Sequence, residues 1–145
     1  MEKTKVPALT VQEKIRLLTG KDAWHTDDLD GKLPAISMSD GPVGLRTVTE
    51  VRDGRDIELP AVAYPWNTDC AREMGESLAD DARDRGVDLL LAPGVNIKRD
   101  PLNGRNFEYF SEDPQLAGSM AKAYVEGVQG GGVGVCLKHF CCNNL

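Results

Sequence analysis

Aromatic residues are scarce in this chain, at 6% of its length, and histidine occurs only twice. Long apolar runs are missing as well. No stretch of eighteen apolar residues exists, which excludes a membrane-spanning helix of ordinary length. Excess positive charge is also lacking. The 17 Lys and Arg against 23 Asp and Glu leave a net charge of −6, which argues against a nucleic-acid partner, because phosphate recognition needs a basic face. Residues 1–14 carry no apolar signal-peptide core, so the expected location is cytoplasmic. The cysteines, Cys70, Cys136, Cys141 and Cys142, do not have zinc-site spacing, and adjacent cysteines rarely pair with each other. They read as buried or partly buried free thiols in a reducing compartment. His25 beside Asp27 and Asp28 suggests a metal only superficially, since no further residue has ligand spacing. No phosphate loop accompanies Gly94 or the Gly130–Gly132 run. Neither a metal nor a cofactor is expected.

What is present suits a soluble globular chain: 145 residues, 41% hydrophobic and 28% charged, enough for one modest domain with a real core. The most informative stretch is 87–113. It begins as an apolar run, Val87 to Leu91, of the type expected for a strand buried on both faces. After Ala92-Pro93-Gly94 come about twenty residues without helical or strand periodicity, and a loop of that length inside a compact domain is usually functional or disordered. Val95, Ile97, Leu102, Phe107, Tyr109 and Phe110 give it too much apolar surface for disorder.

In chain order, Thr10 and Glu13 form a capping-box pattern, and Gly20 is a stop, so 11–19 reads as a short helix. A strand follows at 35–39 and ends at Asp40-Gly41-Pro42, where a carboxylate appears just as glycine and proline break the strand. Residues 47–58 read as a solvated loop or irregular hairpin and 59–64 as a second strand. Ala71, Met74, Leu78 and Ala82 recur at helical spacing, with Gly86 closing the segment that begins at 69. After the 87–91 strand and its loop, Asp113 as N-cap and Pro114 at the first position open another helix, striped by Leu116, Met120, Tyr124 and Val128. A last strand is predicted over 133–140, carrying Lys138 and His139 near its end. Strands separated by such helices give right-handed βαβ units and a parallel sheet. The fold class is therefore α/β, and the polar strand ends of Asp40, the Arg105 loop and Lys138-His139 should share one rim.

Each of these residues has a plain alternative. Asp40 suits a turn cap, Arg105 a guanidinium tying down its loop, and His139 a satisfied core histidine. Lys138 and His139, as strand neighbours, should point to opposite sides unless the strand breaks there. Trp24, Trp66, Phe107 and Tyr109 read as core rather than as sugar-stacking platforms.

The stretches Ser39-Asp40-Gly41-Pro42-Val43-Gly44-Leu45-Arg46, 89–118 and Gly134 to Phe140, with 17–24 before them, resemble the N-terminal domain of glycoside hydrolase family 3, the β-glucosidase type. The match runs in family order from about residue 13 to the end, and its long central part is highly specific. The resemblance implies a (β/α)8 TIM-type barrel, of which residues 1–145 would supply about the first half, since a whole barrel takes about 250 residues. It further implies an exo-acting retaining glycosidase that releases the terminal non-reducing sugar from a β-linked glucoside or oligosaccharide. Asp40, Arg105, Lys138 and His139 would hold that sugar's hydroxyls, with Arg46 as a further candidate. The family's aspartate nucleophile and its general acid/base are expected downstream of Leu145, so no catalytic residue is assigned and the chain alone is expected not to turn over. The connection from the 59–64 strand to the next helix is shorter than family members usually have. The alternative from another class is a non-catalytic carbohydrate-binding or structural half-barrel. Sugar specificity and oligomeric state are not set by these residues.

Overall fold

The computed structural model describes residues 7–42, 44–46 and 66–144. The loop predicted at 47–58 and the strand predicted at 59–64 lie outside the described residues. The chain divides into two compact units, Met1–Met38 and Ser39–Leu145.

In the first unit, α1 (Val11–Thr19) starts where its capping box places it. The Glu13 N–H donates to Thr10 Oγ1 at 3.2 Å and the Thr10 N–H donates to Glu13 Oε2 at 2.7 Å, so two otherwise unpaired helix-start groups satisfy each other's residues. The hydrogen bond from Lys32 Nζ, together with that Thr10 N–H, holds the Glu13 carboxyl down at about 2. Gly20, at φ 78°, ends the helix in a conformation that favours glycine. The acidic group beyond it is occupied by a cation of the protein itself. Arg16 binds both oxygens of Asp27 at 2.8 Å and reaches Asp30 at 2.9 Å. His25 Nδ1 instead lies 3.0 Å from Asp22.

The strand predicted at 35–39 is displaced. Residues 36–38 pair with 24–26, through Thr26 N to Ile36 O at 3.1 Å and Met38 N to Trp24 O at 2.7 Å. The regular strand β1 is Met38–Asp40. Nonlocal partners, not local propensity, decide where it begins.

The larger unit is built from α2 (Thr68–Asp84), β2 (Leu89–Leu91), α3 (Pro114–Gly130) and β3 (Gly134–Val135), which follow β1 in a sheet of order β1-β2-β3. β2 and β3 run parallel, with Leu89 opposite Gly134 and Leu90 opposite Val135. Helices alternating with a parallel three-stranded sheet make a partial α/β barrel. Asn67 caps α2 by accepting from the Asp69 N–H at 2.8 Å, and Asp113 caps α3 by accepting from the Gln115 N–H at 2.7 Å, with Pro114 following. The last strand is shorter than the predicted 133–140. Beyond Val135 the chain still runs beside β2 and its extension, through Cys136 N to Leu90 O at 2.9 Å and Lys138 N to Pro93 O at 3.1 Å, but without a regular ladder.

The core lies between the helices and the sheet. Leu78, Ala79 and Ala82 of α2 and Tyr124 and Val128 of α3 pack with Leu90 and Val133, all essentially buried. The two helices approach through small residues. A Cβ on Gly75 would lie 2.4 Å from the Tyr124 carbonyl oxygen, and one on Gly127 would lie 2.2 Å from the Arg72 carbonyl oxygen. Neither backbone has room to yield, which is why glycine stands at both positions. Gly118, on the same helix as Gly127, has nothing within 4 Å of its would-be Cβ.

Two burial expectations do not hold. All four cysteines are free but exposed rather than buried. Trp66 and Phe107 are 72% and 67% exposed, so they are not core, whereas Tyr109 is buried as expected.

Opposite signs are expected from one substitution at two positions. Gly127→Ala should lower unfolding stability by about 1–3 kcal/mol through overpacking, despite alanine's better helix propensity. Gly118→Ala should raise it by up to about 1 kcal/mol. Urea melts followed by circular dichroism check both.

Candidate functional site

Three segments of the larger unit, each following or closing a strand, bring charged groups together. Asp40 is the last residue of β1. Its carbonyl accepts from the Arg46 N–H at 2.8 Å, and Ser39 Oγ donates to the Arg46 carbonyl at 2.8 Å, so the chain folds back sharply after the carboxylate. Gly41, at φ 136°, makes that reversal feasible, since a Cβ there would lie 1.7 Å from the Gly44 carbonyl oxygen.

The loop after β2 is ordered by its own asparagines. Asn103 Oδ1 accepts from the Arg105 N–H at 2.9 Å, and Asn106 Nδ2 donates to the Asp100 carbonyl at 2.7 Å. These bonds set a short 3-10 turn, Asn106–Glu108, that carries Arg105 at its start and Glu108 at its end. Asn96 clamps the third segment, accepting from the His139 N–H at 2.7 Å and donating to the His139 carbonyl at 3.1 Å.

The side chains then converge. Lys138 Nζ lies 2.5 Å from Asp40 Oδ1, a pair 98 residues apart in sequence, and 3.9 Å from Glu108 Oε2. Glu108, with its side chain 3% exposed, also accepts from Arg105 Nε. The result is a row of alternating charge: Asp40, Lys138, Glu108, Arg105. His139 Nδ1 sits 3.0 Å from the buried Tyr109 hydroxyl, with the two rings edge-on at 6.0 Å. Because the regular strand ends at Val135, strand alternation does not govern residues 138 and 139, and both side chains join this cluster.

Burial and charge set the protonation states. Burial pushes the Asp40 carboxyl up, but the Lys138 hydrogen bond and charge, helped by the Gly41 N–H and Arg46, outweigh it and hold Asp40 below its ordinary range. Glu108's hydrogen bond raises the Arg105 guanidinium. Burial, then the charge of Arg105, lowers His139, while burial raises the Tyr109 hydroxyl. At neutral pH Asp40 is thus ionised and Arg105 charged, while the His139 imidazole and the Tyr109 phenol are neutral. Groups of these types can give a polar neutral ligand directed hydrogen bonds.

Of the residues singled out from sequence, Asp40, Arg105, Lys138 and His139 come together. Arg46 is exposed; its backbone closes the β1 turn and its charge contributes to Asp40's low value. Glu108 and Asn96 were not singled out, and Tyr109 was read only as core. A signal for Glu108 existed, an Arg and a Glu three residues apart in a compact polar turn, but its burial depends on Lys138, far along the chain. Among the described residues, no group of three His, Cys, Asp or Glu is placed to hold a metal ion. An apolar groove of ≈ 490 Å³ lies along α3, lined by Val95, Ala117, Ala121 and Leu137 among others, and shares no residue with the charged cluster.

Asp40's low value has a consequence for stability. A depressed carboxylate contributes stability above its unfolded-state value of about 3.9, and that contribution is lost as pH falls through the folded value. Asp40→Asn is expected to cost about 1–3 kcal/mol at neutral pH, since it leaves Lys138 short of its partner. The gap between wild type and variant should close in acid, below about pH 4. Thermal melts of both proteins from neutral to acid pH check this, and a gap that is constant with pH would contradict it.

Known proteins share this arrangement of segments. The family described as glycosyl hydrolase family 3 N terminal domain matches residues 8–144. The chain is 43% identical to thermostable beta-glucosidase B of Acetivibrio thermocellus, over 96% of the chain and 20% of that relative. It is 44% identical to an exo-alpha-(1->6)-L-arabinopyranosidase of Bifidobacterium longum, again over 96% of the chain and 20% of the relative. Among solved structures, beta-glucosidase 3B from Thermotoga neapolitana in complex with glucose superposes with a TM-score of 0.79 at 39% identity, covering 94% of this chain and 22% of the other. The chain therefore spans about a fifth of the length of the relatives it matches.

Proposed function

The chain belongs to the glycosyl hydrolase family 3 N-terminal domain family, and from that premise we propose that its strand-end cluster holds the terminal non-reducing sugar of a β-linked glucoside for exo-acting hydrolysis. The observation that carries this reading is the convergence of Asp40, Lys138, Arg105 and His139 on one rim. A neutral sugar offers only hydroxyls. Asp40 accepts from them, Lys138 and the Arg105 fork donate, and His139 contributes a ring nitrogen. Where the Tyr109 hydroxyl donates to Nδ1, Nε2 carries the proton and is a donor; where Nδ1 carries it, Nε2 is an acceptor, and a hydroxyl can partner either. Such bonds accelerate the reaction when they tighten as the sugar ring develops oxocarbenium character.

Bond breaking needs two more groups. A retaining glycosidase uses a carboxylate nucleophile and a second carboxyl group with a raised value as general acid, roughly 5 Å apart. The carboxylates of this cluster do not supply that acid. Asp40 is held low by Lys138, and Glu108 is enclosed between two cations. In this reading these residues grip and orient, and the general acid comes from outside the cluster. The related names include both beta-glucosidases and an arabinopyranosidase, so the sugar is proposed as a pyranose of glucose-like class.

Calorimetric titration of the 145-residue chain with D-glucose tests the grip. Binding is expected in the wild type, weakened about tenfold or more by Asp40→Asn, which removes the charged acceptor. No heat of binding, or equal affinity in both proteins, would remove the cluster from the sugar site. The same chain with an aryl β-glucoside should give no turnover above the blank, and sustained hydrolysis abolished by a cluster substitution would place the chemistry here after all.

A further inference from the structure

Glu108 has the least exposed charged side chain of the cluster, at 3%, and faces two cations. Its Oε1 accepts from Arg105 Nε, while its Oε2 stands 3.9 Å from Lys138 Nζ. A buried ion pair of this kind contributes little net stability compared with well-packed apolar residues, because removing charges from water costs nearly as much as their attraction returns. Its value lies in what it fixes. Arg105 has five N–H donors in a planar fork, and only Nε is committed to Glu108. Among the described residues, no hydrogen bond is made by its two terminal amines, and the side chain is 43% exposed.

The other carboxylate in electrostatic reach of Arg105 is Asp40, whose charge already acts on the guanidinium. A guanidinium and a carboxylate favour a two-point pair, so Arg105 would compete for Asp40 with Lys138, which already holds Oδ1. If Arg105 made that pair, the acceptor and the fork would saturate each other and neither would be free for a hydroxyl. From this geometry we infer that Glu108 is a positioning residue: its buried carboxylate holds Arg105 by Nε and keeps the arginine fork off Asp40, so that both remain open toward a bound sugar. The sugar part of this inference rests on the reading proposed above; the positioning part does not.

The test uses the 145-residue chain with Glu108→Gln, Glu108→Asp, Arg105→Ala and the Gln/Ala double variant. Nitrogen-15 spectra report the Arg105 Nε–H directly. Glu108→Gln, which is isosteric but neutral, should shift that resonance and weaken glucose binding about tenfold, with the backbone amide spectrum otherwise retained. In the Arg105→Ala background the same change should weaken binding by less than about twofold, because Glu108 acts through the arginine. Effects that multiply independently would assign Glu108 a merely structural role, as would an unmoved Nε–H. Should Glu108→Gln not fold, Glu108→Asp keeps the charge but shortens the reach and should move the same resonance; an unmoved signal overturns the positioning role. If the wild type shows no glucose binding, the proposed function fails, and the Arg105 resonance alone still decides the positioning role.

Discussion

Asp40 and Lys138, 98 residues apart, are joined at 2.5 Å, and much of the larger unit is arranged so that they meet. One sits at the end of β1, the other beyond β3, with β2 between these strands in the sheet. The contact therefore requires the register of the sheet, the close α2–α3 crossing at Gly75 and Gly127, and the sharp reversal at Gly41. Glu108 and Arg105 extend the pair into a row of alternating charge from the loop that follows β2. A row of this kind is poor as a source of stability and good as a device for geometry.

The division of labour within the fold follows from this. Apolar burial under α2 and α3 fixes the scaffold, with Leu78, Leu90, Tyr124 and Val128 fully enclosed. The polar loop of residues 92–113 is then ordered by short asparagine bonds, Asn103 to Arg105, Asn106 to Asp100 and Asn96 to His139, so its charged groups need not hold the loop themselves. Of these groups, Arg105 stays 43% exposed while Glu108 is enclosed. This arrangement explains why a charged, irregular loop lies against a parallel sheet without being disordered.

What could be read from the residues alone was whatever is local. The Thr10–Glu13 box, the Asp113-Pro114 cap and the apolar stripes of both long helices act over one or two turns, and they stand where spacing placed them. Strand limits were not local. Residues 36–38 are drawn to 24–26, and the last strand loses its ladder after Val135 because its partner turns into the 92–113 loop. Burial was least legible of all. Trp66 and Phe107 carry large apolar rings yet are exposed, while charged Glu108 is enclosed because Arg105 and Lys138 both reach it. The motif residues Asp40, Arg105, Lys138 and His139 were recognisable by resemblance; Glu108, Asn96 and the contact of the core residue Tyr109 with His139 emerged only from the structure.

The most direct test of the central claim is a crystal structure of this chain grown with glucose. The expected result is a sugar whose hydroxyls lie within hydrogen-bond distance of Asp40, Lys138, the Arg105 terminal amines and His139 Nε2, with Glu108 still holding Arg105 by Nε. A glucose ordered elsewhere, or Arg105 paired with Asp40 across an empty rim, would contradict it.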